Sequence, residues 1–115
     1  MTEPAKRPTV VLVMFEWSVE HPLWDRSAGG LGLVDPEALG VSPSLAQRLR
    51  AWNDEHNNAP DGPENFTWPS PQAGVDWRRR GLSLAYALQD ELGPDLEVLY
   101  FEDGDDRPVR GRRGA

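Results

Sequence analysis

Glu16, Glu20, His21 and Asp25 fall within ten residues of one another, at the end of the first strongly apolar segment and in the loop after it. Carboxylate oxygens with one imidazole suit a hard divalent cation. A carboxylate beside a histidine is also raw material for acid–base chemistry. The spacing selects neither. The chain has no HxxxH pair, no EF-hand loop and no HExxH, so no coordination geometry is set. Ser18, Ser27, Ser42, Ser44, Ser70 and Ser83 lack the strand–turn–helix setting of a nucleophile elbow. The GGLG run at 29–32 has neither GxGxxG spacing nor the Lys-Ser/Thr of a P-loop. His56 falls at a helix end, where a cation suits the dipole. No catalytic residue, metal ligand or cofactor follows from these residues, and the balance is against an enzyme.

Tryptophan is the other informative type, with five in the chain. Trp52 and Trp77 sit on helical apolar stripes and read as core. Trp17, Trp24 and Trp68 sit at a strand end or in loops, where tryptophan either anchors an interface or covers a core edge. Trp24 lies among carboxylates and follows Pro22, which stiffens the backbone and lowers the entropy lost in presenting the ring. Trp24, Glu16, Glu20, His21, Trp17 and Trp68 are therefore the candidate partner-binding residues.

The net charge is −7, and residues 8–104 alone carry −10, because both ends are net basic. Such a body repels nucleic acid and anionic lipid. It suits a basic partner, or simply solubility. The absence of cysteine excludes disulfides, thiolate metal sites and thiol nucleophiles. The longest apolar run, Val10 to Phe15, is too short to span a bilayer. The MTEPAKRPT start lacks the apolar stretch of a signal peptide. The expected location is the cytoplasm.

These residues need elements to position them. Residues 1–8 read as a flexible arm. TVVLVMFEW (9–17) is β-branched and apolar, hence a strand buried on both faces at the centre of a sheet. Residues 18–30 read as loop, and LGLV (31–34) as a short second strand beside the first. Asp35-Pro36 opens a one-turn helix that Gly40 closes. Ser42-Pro43 opens a helix over 43–56, with Leu45, Leu49 and Trp52 on one face. Residues 57–69 are rich in turn formers. Asp76 and Ser70 compete to cap the next helix. An Asp76 cap would place Arg78, Arg79 and Arg80 against the positive end of the dipole, so the helix is expected over 71–92. Its stripe is Trp77, Gly81, Leu84, Ala85, Leu88 and Leu92, and Gly93-Pro94 stops it. LEVLYF (96–101) is a strand with Val98 and Tyr100 on one face and Leu99 and Phe101 on the other. The rest, from 103, reads as a disordered basic tail, which leaves one domain over 9–102. The expected fold is an α/β two-layer sandwich. Its sheet is three-stranded and mostly parallel, in the order β-β-α-α-β, with the helical pair as a right-handed crossover between the two long strands; the alternative is a helical hairpin packed on an antiparallel sheet.

Three segments read together, FEWSVEHPLW (15–24), VSPSLAQRLRAWNDE (41–55) and WRRRGLSLAYALQDELGPDLEVLY (77–100), resemble a group of small uncharacterised proteins of high-GC Gram-positive bacteria. Eleven arginines against one lysine suit such a genome. The resemblance implies a shared fold and transfers no functional residue.

Charge, exposed aromatics and the lack of catalytic grammar favour a non-catalytic protein-binding module, an acidic inhibitor or immunity-type protein of a basic partner. It would be a monomer or weak homodimer that binds neither nucleic acid nor membrane. The alternative is a small enzyme or metal-binding domain using Glu16, Glu20 and His21 at the sheet end.

Overall fold

The computed structural model describes residues 8–16, 19–27, 32–57 and 68–112. The expected arm at 1–7, Trp17, residues 58–67 and the end of the tail at 113–115 lie outside the described residues. Strand β1 (Val10–Val13) is followed by β2 (Leu23–Asp25) and β3 (Gly32–Leu33). Then come α1 (Pro36–Leu39), α2 (Pro43–Asn57), α3 (Pro71–Leu92), β4 (Glu97–Tyr100) and a 3₁₀ turn (Val109–Gly111).

Caps and prolines set the helix starts. Asp35 accepts a hydrogen bond from the Glu37 N–H, Pro36 occupies the first turn, and Gly40 ends α1 at φ 83°. Ser70 accepts from the Ala73 N–H and Pro71 opens α3. Asp76 is left to bond the Gln72 side chain one turn back. Ser42 accepts from the Leu45 N–H and is itself held by the Glu91 carboxylate, which ties the start of α2 to the end of α3.

The sheet corrects the sequence reading. It has four strands, not three, in the order β3-β2-β1-β4, and it is mixed, not mostly parallel. β1 does run parallel to β4, with Leu12 opposite Leu99. β2 lies antiparallel on the other side of β1, with Leu12 opposite Trp24, and β3 pairs with β2, not with β1. The overlooked strand is Leu23–Asp25, inside the segment read as loop. Three residues beside a proline show no usable alternation. Once β2 takes the free side of β1, the LGLV strand has only the outer edge left. β1 is also shorter than expected, ending at Val13.

The two faces of this sheet differ. Val11, Val13, Leu23, Val98 and Tyr100 point to the helices and are at most 1% exposed. They join Leu45, Leu49 and Trp52 of α2 and Trp77, Ala85 and Leu88 of α3 in one core. Leu12 is buried too, yet it stays outside that core cluster, because its row faces away from the helices.

The segment after β4 also departs from expectation, since residues 103–112 are folded. Val109 is fully buried. Arg110 donates to the Pro94 carbonyl and to Glu97, and Arg112 bonds Asp103 and the Asp105 carbonyl. Composition alone misled here: a single valine among arginines and glycines gives no periodic signal, although it is enough to dock the segment.

Candidate partner-binding site

The carboxyl end of β1 leads into the residues singled out by the sequence. Asn53, fully buried on α2, anchors this loop. Its Oδ1 accepts from the Glu16 N–H at 3.3 Å, and its Nδ2 donates to the Glu16 and Val19 carbonyls at 3.4 and 3.2 Å. The Met14 N–H donates to the Pro22 carbonyl, which closes the hairpin into β2. The loop backbone is thereby fixed while the Glu16 and Glu20 side chains stay exposed. His21 is half-buried, and its Nδ1 has no hydrogen-bond partner among the described residues. Asn53 carries no charge and was overlooked. The available signal was a polar residue one turn after Leu49, on an apolar stripe.

Trp24 is part of β2, not of a loop. It is half-buried, and its indole N–H donates to the Met14 carbonyl at 3.1 Å. Trp68 stands with the helices, its ring 5.3 Å from that of Trp77 and against Gly74. Glu16, Glu20, His21 and Trp24 are thus gathered by one hairpin, and Trp68 joins a different aromatic group. No three of His, Asp and Glu converge as metal ligands among the described residues.

Glu102 follows β4 at the same end of the sheet. Burial pushes its carboxyl up to about 7. The Phe15 backbone N–H, hydrogen-bonded to it, opposes that rise and the nearby Asp103 charge adds to it. Its Oε2 has no partner among the described residues. Asp105 behaves oppositely: its hydrogen bonds to the Arg107 guanidinium hold its carboxyl far below the usual range.

The sheet face turned away from the helices carries a row of apolar side chains in register across all four strands: Leu33, Trp24, Leu12 and Leu99. Leu33 and Phe101 are each 56% exposed. A pocket of about 430 Å³ lies at the β3 end, lined by Val19, Glu20, His21, Leu33, Val34 and Asp35. A second, of about 340 Å³, lies over β1 and β4, where Leu12, Leu99 and Phe101 meet Arg26, Asp105 and Asp106.

A family model described as Serratia CdiI immunity protein-like matches residues 9–103, the span from β1 through β4 and the turn after it. The chain belongs to this family. The matched span takes in the hairpin with Glu16, Glu20, His21 and Trp24, the anchoring Asn53 and the open sheet face. No curated protein matches the chain. Among the described residues no helix of this immunity-like chain is long and apolar enough to cross a membrane.

Proposed function

We propose that this chain is an immunity protein: it binds a protein toxin and holds it inactive. The observation that carries this reading is the family match over residues 9–103. Two further features support it. The candidate surface is built for contact, with exposed carboxylates and a half-buried tryptophan on a backbone pinned by Asn53. The chain is also acidic, at −7, which suits a basic partner drawn in by long-range attraction. Trp24, Glu16, Glu20 and His21 are proposed as part of the contact surface, with Trp17 and Trp68 as further candidates. The protein acts in the cytoplasm, as a monomer or weak homodimer.

The test is co-expression with the product of the adjoining gene, taken as the candidate toxin domain. The expected result is a stoichiometric complex on gel filtration and survival of cells that die when the toxin domain is expressed alone. Neither complex nor protection would overturn the reading.

A further inference from the structure

The charge of this protein is segregated. The two long helices carry five arginines and five carboxylates and are neutral. The other described residues carry eleven carboxylates against four arginines. The net charge of the described residues therefore lies outside the two long helices. Glu20 and Asp35 line the pocket at the β3 end of the sheet, and neither forms an ion pair among the described residues. At the β4 end Asp106 lines a pocket together with Arg26 and forms no ion pair among the described residues.

From this we infer that the open face of the sheet is the toxin-binding surface, and that its counterpart on the toxin is an apolar patch edged by lysine or arginine. The inference rests on the function proposed above and adds the face and the chemistry of the partner. Leu33, Trp24 and Leu99 of the row, with Phe101 beyond it, supply the apolar surface that a stable interface desolvates, around a Leu12 that is already buried. Size brings in the margins. Four strands about 4.8 Å apart and two to four residues long cover roughly 200 Å². A stable interface takes about 800 Å² per partner, so the footprint runs past the row onto the carboxylates at both ends. The helical face offers a cationic partner no such field. Arg78, Arg79 and Arg80 of α3 would repel it; of the three, Arg80 alone is bound to a carboxylate among the described residues, that of Glu55.

The experiment uses the full chain and the toxin domain, freed from the co-expressed complex in denaturant and refolded, with association measured at two salt concentrations. Leu33→Ser with Phe101→Ser changes two exposed side chains, so thermal melts should match wild type while affinity falls 100-fold or more. Glu20→Gln with Asp106→Asn should slow association severalfold at low salt and have little effect at high salt. Ser83→Arg and Arg79→Glu, on the helical face, should bind within twofold of wild type. Tight binding by the Leu33/Phe101 variant, or loss of binding by the helical variants, would overturn the inference. So would a wild-type chain that sediments as a dimer through this face, since a second copy would then be its occupant. If the wild-type chain forms no complex at all, the proposed function itself fails.

Discussion

Trp52 and Trp77 each donate their indole N–H to the other's backbone carbonyl, both at 2.9 Å, with the rings stacked 4.3 Å apart and 7° from parallel. One pair of side chains thus locks α2 to α3 twice. It also satisfies two indole donors in the core, where an unpaired polar group is costly. Trp77→Phe keeps an aromatic ring and removes one of these donors, so the Trp52 carbonyl loses its indole hydrogen bond. It should cost about 1–3 kcal/mol, read as a lower denaturant midpoint at unchanged slope. Trp77→Ala should cost about 3–5 kcal/mol.

Gly81 makes room for this pair. A Cβ there would stand 2.6 Å from Trp52 Cζ2 and closer still to the Tyr100 hydroxyl, which donates to the Arg78 carbonyl. In an open helix, Gly→Ala stabilises by about 1 kcal/mol. Gly81→Ala should instead destabilise, by about 1–3 kcal/mol of overpacking. A raised melting temperature would show that the ring pair yields without cost.

Asn53 makes three hydrogen bonds to the backbone after β1. Asn53→Ala should cost about 1–3 kcal/mol, since it removes three hydrogen bonds to part-buried backbone groups. It should also loosen residues 14–22. Amide exchange there should rise more than in α3, a contrast that a uniformly destabilised fold would not produce.

Glu102 makes stability depend on pH. Its folded value of about 7 lies above the 4.5 of a free carboxyl. Between those values the folded chain holds more protons than the unfolded one, so this group's contribution falls as pH rises through the window and stays low above it. Glu102→Gln should therefore raise the melting temperature at pH 8 and change it little at pH 4.5. An equal shift at both values would point to packing and not to ionisation.

The segment after β4 contributes to the fold. Deleting residues 105–115 removes the fully buried Val109 and the Arg110–Glu97 and Arg112–Asp103 pairs. Losing the valine alone should cost about 1.5–3 kcal/mol. The deletion should lower the melting temperature by several degrees, and an unchanged melt would mean that this docking adds nothing.

Local chemistry was legible without any structure. Ser70-Pro71 starts α3 and Gly93 ends it, Asp35-Pro36 and Gly40 bound α1, and the stripes of Leu49 and Leu88 face the core. Each of these depends on residues within two or three turns of one another, so the sequence carries them outright. The alternation of Val98 and Tyr100 with Leu99 and Phe101 was equally plain. What it meant was not, because which face meets the helices and which stays open depends on partners far along the chain. Tertiary pairing decided that Leu23–Asp25 is a strand at all, since three residues gain strand geometry only by bonding to β1 on one side and β3 on the other. It also sent β3 to the edge, buried Val109, and aligned Leu33, Trp24, Leu12 and Leu99 into one row. Those four lie on four separate strands, and only the register of the sheet makes them neighbours.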